Sequence, residues 1–427
     1  MPSKEEITDM LRLAGLDMCE FYKLYDHKKI SDAILYAKDL KDRYTVLWMH
    51  YDFYGEIWPQ LWNSCKIGGV FTKKPIFTGT QGDCHIQGIA VDKKNGHIYY
   101  SFTTKLIKAT LEGEIIGSVD GLVGHLGCIA FNETDGCVYG SLEYKNDVIG
   151  TKIRKAIHSD STFSDAFYIV KFDVEKIDRL DIPAENSDIM SAAYLKEVVD
   201  DYNATGIDKN GNEVPHRYGC SGIDGITFGP LPGKSEKDGI YLYVAYGIYS
   251  DVNRDDNDHQ ILLCYDFTSW STYASPLDQE NMHSNGPSAP LHKFFVYTGN
   301  TSYGVQNLEY DRFTKSFLMA VYKGRKPDFP NFLLFAVDAE IAPKTEKHNV
   351  TAETIEVLTL RPFGSYDDMS GVYGWDFPFG STGLYSFGDG KWLISHDKST
   401  PDGQCGYIYP YVWDAKHPFE CQIPISE

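Results

Sequence analysis

The 427-residue chain carries 60 acidic against 40 Lys and Arg side chains, for a formal charge of −20, with 42% hydrophobic residues that include 30 Tyr and 23 Phe. So large an acidic excess repels phosphate backbones and anionic headgroups, which excludes nucleic acid and membrane surfaces as main partners and leaves room only for a local basic pocket holding a small anion. The aromatic content favours strands, no apolar run reaches membrane-spanning length, and nine cysteines without a CxxC pair point to reduced thiols in a cytoplasmic chain.

Residues 3–42 carry a helical pattern: Ser3 and Glu6 have capping-box spacing, Ile7, Met10, Leu11 and Ala14 share a face, and Ile30, Ile34 and Ala37 suggest a second helix. An aromatic stretch with Trp48, Tyr51, Tyr54, Trp58 and Trp62 follows. It reads as packing of an N-terminal extension, residues 1–65, on a main domain of residues 66–427, or alternatively as a sugar-stacking shelf.

The stretch 83–92, with His85, Gln87, Gly88, Ile89 and Val91, recurs in altered form at 124–132, 222–229, 304–311 and 380–387. Each copy has a polar or small start and then alternating apolar residues. Degenerate repeats of this kind mark a propeller or a solenoid. After the first copy, strands near 86–91, 97–102, 104–109 and 114–119 separated by short turns make a four-stranded meander, the outline of one propeller blade. Ile89 and Ile129 lie 40 residues apart, a minimal blade, whereas the later copies are roughly twice as far apart. The later blades therefore carry insertions, placed at 143–164, 247–258 and 323–331, each after a second strand. In a propeller those loops open on the face where the innermost strands begin. The expected fold is an all-β, five-bladed propeller with a short N-terminal helical segment. A sixth blade from residues 44–77 is the alternative, and the fifth blade is completed by residues 70–77 or by a C-terminal strand near 419–423.

Placing the copies in register gathers a polar set near the axis: His85 and His125 at one position, then Gln87, Asp224 and Gln306 two residues on, with Asn307 beside them. Second-strand ends add Glu143, Lys323, Arg325, His396 and Asp397 to that face. Imidazoles with an amide or carboxylate oxygen suit zinc, manganese or iron, so His85, His125 and Asp224 are candidate metal ligands, and the expected cofactor is a divalent metal such as manganese, zinc or calcium. Asp224, Glu143, His396 and Arg325 are the candidate catalytic residues, and Gln87, Gln306, Asn307, Lys323 and Asp397 the candidate substrate contacts. An Asp beside an axial channel needs a partner, a metal or a catalytic role to offset its desolvation. Arg325 has the fork geometry for a carboxylate or phosphate. The same histidines also read as hydrogen-bonding members of blade interfaces. Residues 251–258 begin like a calcium loop but carry Asp256 and Leu262 where Gly and Glu are required, and so read as a solvated acidic loop. No Walker loop, dinucleotide fingerprint, GxSxG elbow or HExxH occurs.

The form Gln87-Gly88-Ile89-Ala90-Val91-Asp92 followed by Gly96-His97-Ile98-Tyr99-Tyr100 resembles blades of gluconolactonase-type and related sugar-processing propellers, over roughly residues 70–424 as an architecture. That resemblance implies a divalent metal on the axis held by Glu, Asn and Asp, which Asp224 and Asn307 fit. His85, His125 and Gln87 look more like the metal sites of propeller oligouronide lyases. The expectation is an enzyme acting on a small, anionic sugar-derived or oligosaccharide substrate, a lyase or hydrolase. A metal-free glycosidase with paired carboxylates and a non-catalytic propeller binding protein or glycan are the alternatives.

Overall fold

The computed structural model describes residues 74–156, 163–185, 188–300, 302–414 and 417–425. The helical and aromatic extension expected over residues 1–65 lies outside them. After a two-residue strand, β1 (Ile76–Phe77), the first repeat folds into antiparallel strands β2 (Ile86–Asp92), β3 (His97–Phe102), β4 (Lys105–Thr110) and β5 (Ile115–Asp120). Gly96 and Gly113 turn the chain at φ of 69° and 91°, a region in which a side chain is strained. The predicted meander forms with its strand ends within one residue of expectation.

The second blade holds β6 (His125–Asn132), β7 (Cys137–Tyr144) and β8 (Ala166–Phe172), with a helix, α1 (Val148–Ala156), in the insertion after β7. A two-residue strand, β9 (Ile182–Pro183), pairs in parallel with β5, and β10 (Met190–Tyr194) completes the blade. Helix α2 (Lys196–Asn203) and the hairpin of β11 (Thr205–Ile207) and β12 (Glu213–Pro215) lead to the third blade. It comprises β13 (Cys220–Gly229), β14 (Tyr241–Ile248), β15 (His259–Tyr265) and β16 (His292–Tyr297).

The fourth blade has β17 (Val305–Asp311), β18 (Ser316–Val321) and β19 (Leu334–Asp338). Beyond it, β20 (Lys344–Lys347) and β21 (Thr354–Val357) pair with each other, and β21 adds to the outer edge of β16 before Leu360 bridges Val337 of β19. One segment thus edges two blades. A hairpin of β22 (Ser365–Asp367) and β23 (Val372–Gly374) precedes the fifth blade, β24 (Leu384–Ser386), β25 (Lys391–Thr400), β26 (Gly403–Trp413) and β27 (Phe419–Cys421).

The innermost strands β2, β6, β13, β17 and β24 adjoin in that order and β24 returns to β2, which closes a ring of five blades. Both expected closures are used. β1 pairs with β26 at Ile408 and Tyr407, while β27 pairs with the same edge further along, at Tyr411 to Trp413. The outer strand of the fifth blade is therefore shared by two parts of the chain. β1, the described end of the segment that a sixth blade requires, belongs to the fifth. Apolar faces meet between successive blades, as where Tyr99 and Leu126 pack with Val138 and Phe172. Each such buried side chain contributes roughly 1.5–3 kcal/mol.

The acidic loop is solvated only in part: Val252 and Asn253 are exposed, but its second half turns inward. Arg254, Asp256, Asn257 and Asp258 are all buried. Arg254 forks onto Asp256 with Nε and Nη2 both at 2.8 Å, and Lys326 bonds Asp258, the Asn257 side chain at 2.8 Å and the Arg254 carbonyl at 2.6 Å. The desolvation of these carboxylates is offset by two buried cations, one from the loop itself and one from the neighbouring blade.

Candidate active site

The innermost strands begin on one face of the ring, here called the top. Four of them carry a β-bulge near that end: pairing skips between Ile86 and Gly88, Leu126 and Ile129, Ile223 and Ile226, and Val305 and Asn307. Gln87, Asp224 and Gln306, the residues singled out by the repeat, are thus the residues the ladder leaves out. A bulge re-aims its side chain away from the regular face. Glycine beside the bulge lets the strands converge: a Cβ on Gly127 would stand 2.1 Å from Asp224 Oδ1, so the carboxylate occupies the place a side chain would take.

Asp224 is buried, and its Oδ1 has no hydrogen-bond partner. Its own backbone carbonyl accepts from Ser141 Oγ at 2.6 Å, which fixes the bulge. Desolvation pushes its carboxyl up to about 7, even though His125 and Lys145 pull it down. Glu143, from the end of β7, behaves in the opposite way. Burial opposes its charge, but Lys145 at 2.6 Å and the nearby His125 outweigh burial and hold it below the ordinary carboxylate range. Its other oxygen accepts the Ile223 N–H at 3.1 Å. Lys145 also donates to the Ser221 carbonyl at 2.7 Å.

His125 Nδ1 stands 3.4 Å from Glu143, without a hydrogen bond of good alignment. Burial disfavours its charge, yet Glu143 and Asp224 together raise it above the ordinary histidine value. His85 is lowered, by desolvation first and then by His125, while Asp397 pulls the other way. Gln87 Nε2 lies 3.2 Å from His85 Nε2 and 3.0 Å from Thr103 Oγ1. Tyr322, which follows β18, senses the charges of both Asp224 and Asp397 and is packed edge-on against Tyr303 at 5.8 Å. Tyr303 is 48% exposed, with φ of +61°. Its carbonyl accepts from Gln306 Nε2 at 2.9 Å.

The structure therefore groups His85, Gln87, His125, Glu143 and Asp224 at the top of the axis, with Asp397 on their periphery. Arg325 is exposed in the loop after Tyr322, and Lys323, also exposed, reaches Asp376 at 3.4 Å. His396 is not brought to the cluster. β25 runs on to Thr400, so His396 is no strand end; its ring stacks on Phe379 at 3.7 Å and meets the Tyr411 hydroxyl at 2.9 Å. Burial lowers it to about 4. Asn307 is placed on the axis but has no donor left for a ligand. Its Nδ2 bonds the carbonyls of Gln87 and Ser381, both at 2.9 Å, and its Oδ1 receives Cys128 Sγ at 3.3 Å, a tie among four blades.

Among the described residues no three His, Cys, Asp or Glu side chains stand as a group that would hold a metal ion. His85, His125 and Asp224 share an end of the axis without standing as such a group. Lys145 and Tyr322 were not singled out from the sequence. A lysine two residues after Glu143, on the same strand face, was the available signal for the first.

Fold and site together define a five-bladed β-propeller with a buried acid–base cluster at one end of its axis. No family model matches the chain, and no curated protein matches it. Among solved structures it is similar to the Dos1 propeller, with 10% identity over 81% of this chain and 72% of that one and a TM-score of 0.32. It is also similar to a gluconolactonase from Xanthomonas campestris, with 6% identity over 81% and 89% and a TM-score of 0.30. A GH43 β-1,3-galactosidase shows 12% identity over 81% and 98%, with a TM-score of 0.37. The fold follows from the strand order of the chain itself.

Proposed function

We propose that this chain is a propeller enzyme that transfers a proton to or from a small, anionic, sugar-derived substrate at the top of its axis, as a lyase or hydrolase. The observation that carries this reading is Asp224, a buried carboxyl placed by a bulge, with one unpartnered oxygen and a titration point pushed up to about 7. A group poised near neutrality serves as acid and as base. In a lyase, Asp224 takes the proton next to the substrate carboxylate, and the oxygen on the neighbouring carbon leaves with its bonding pair as the double bond forms. In a hydrolase, it protonates the leaving oxygen as that carbon–oxygen bond breaks and water takes its place on the carbon. Glu143 stays ionised beside it, and two carboxyls pushed apart in this way divide acid and anion roles between them, which favours the metal-free hydrolase within this class. Lys145, 2.6 Å from Glu143, carries the compensating charge.

Tyr303 and Tyr322 supply flat, half-apolar faces of the kind that stack on sugar rings. Arg325 and Lys323, on the loop that starts at Tyr322, provide cations for the substrate's carboxylate, with Gln87, Gln306 and Asp397 as hydrogen-bonding contacts. The proposal includes a cytoplasmic setting, in keeping with seven free thiols among the described residues. It is tested by assaying sugar acids, lactones and oligouronides with purified protein, with added divalent metal and with chelator. Turnover of at least one that is lost in Asp224→Asn supports it. Activity restored only by metal assigns the divalent ion a role, and specific glycan or protein binding without turnover supports a non-catalytic propeller.

A further inference from the structure

A cavity of about 170 Å³ lies on the axis at the face opposite the Asp224 cluster, where the innermost strands end. All five blades build it, through Ile89, Ile129, Thr227, Glu309 and Tyr385. Between it and the Asp224 cluster lies Asn307 with its ties to four blades. Glu309 is the polar centre. Its Oε1 accepts the Ser386 N–H at 2.8 Å and its Oε2 accepts Thr227 Oγ1 at 3.3 Å, so this one carboxyl spans the third, fourth and fifth blades.

No ion pair to Glu309 forms among the described residues. The nearest cations stand on the rim and are occupied: Lys93 bonds Glu133 at 2.7 Å, and Arg312 bonds Glu236 at 2.9 Å with Glu133 at 3.9 Å. Both rim cations are thus taken up by rim anions, and Asp311, which accepts from Ser386 Oγ at 2.5 Å, adds a further carboxylate beside the cavity, so the site offers no free cation to an anionic ligand. Ile89, Ile129 and Ala130 give the cavity apolar walls, while the carboxyl and the Thr227 and Tyr385 hydroxyls give it hydrogen-bonding groups. An empty apolar cavity of about 150 Å³ admits a benzene-sized molecule, so this volume admits a six-membered ring, and its polar groups demand a hydroxylated one.

We propose that this bottom-face cavity is a second binding site, distinct from the Asp224 site, for a neutral polyol up to the size of a six-membered ring. Glu309 bonds the ligand's hydroxyls and is held in place by Thr227, whose hydroxyl donates to it and accepts the Tyr310 N–H at 3.2 Å; Tyr385 closes one side, and Ile89 and Ile129 pack on the ligand's carbon face. Burial also pushes Glu309 up to about 8, so at pH 7 it retains a proton to donate, as a cation-free neutral site requires.

The test is titration calorimetry with myo-inositol, erythritol and the anion glycerate against wild type, Asp224→Asn, Thr227→Val, Glu309→Gln and Glu309→Leu. Saturable binding of a polyol is expected in wild type and equally in Asp224→Asn, which separates this site from the proposed catalytic one. Glu309→Leu should weaken it about tenfold or more, the loss of one buried hydrogen bond, and Glu309→Gln, which retains a donor, by no more than about threefold. Should Glu309→Leu fail to fold, the near-isosteric Thr227→Val variant decides, with an expected loss of about threefold to tenfold. Absence of saturable polyol binding, binding of glycerate alone, indifference to Thr227→Val, or loss in Asp224→Asn would each overturn the proposal.

Discussion

Replacing Asp224 by Asn converts the carboxyl into a group of the same shape that cannot ionise. In the folded chain the carboxyl is pushed from 3.8 up to about 7, chiefly by desolvation, whereas in the unfolded chain it titrates at its ordinary value. Between those two points the folded state holds a proton that the unfolded state has released. Stability therefore falls as pH rises through that window, and the loss is complete above pH 7. At 1.36 kcal/mol for each pH unit, a rise of about three units corresponds to about 4 kcal/mol, as an upper figure for a site whose neighbours relax. The Asn variant lacks this loss. Urea midpoints for both proteins at several pH values from 4 to 8 should therefore diverge, with Asp224→Asn gaining on wild type by at least about 1 kcal/mol as pH rises. Curves that stay parallel across the window would show that Asp224 is an ordinary ionised carboxylate and would remove the basis of its assigned role.

Lys145→Met leaves Glu143 buried without its cation and is expected to cost about 3–5 kcal/mol in chemical denaturation; Lys145→Met combined with Glu143→Gln should cost less than the single change. Asn307→Ala removes two donors that tie Gln87 and Ser381 together and should lower stability by about 1–3 kcal/mol, read as a shift in urea midpoint. Tyr303→Ala should raise KM for a sugar-derived substrate by about tenfold while leaving kcat nearly unchanged, because stacking acts alike on ground and transition states; an unchanged KM would take Tyr303 out of the binding surface.

The blade pattern was legible because each innermost strand alternates apolar residues after a small residue, and because glycines such as Gly96 and Gly113 mark the turns. The axial position of Gln87, Asp224 and Gln306 was legible too, as the variable residue in an otherwise constant repeat. The bulges that aim them were not, since one extra residue in a strand leaves no compositional mark. Glu143 was found without Lys145 because its partner matters only once burial makes an unpaired charge costly. His396 was misplaced by the length of β25: a strand ending near 396 puts that ring at the mouth, whereas one that continues to Thr400 sends it into the packing around Phe379 and Tyr411. The buried network of Arg254, Asp256, Asp258 and Lys326 joins residues of two blades, so local charge alone gave the opposite reading.

The most direct test of the central claim is the pH dependence of turnover for wild type and Asp224→Asn on whichever sugar acid, lactone or oligouronide the chain converts. The expected wild-type profile breaks near pH 7, and kcat falls at least about a hundredfold in the variant, with an unchanged melting profile at pH 4. An Asp224→Asn protein that turns over like wild type, or a wild-type rate that is flat from pH 5 to 9, would contradict it.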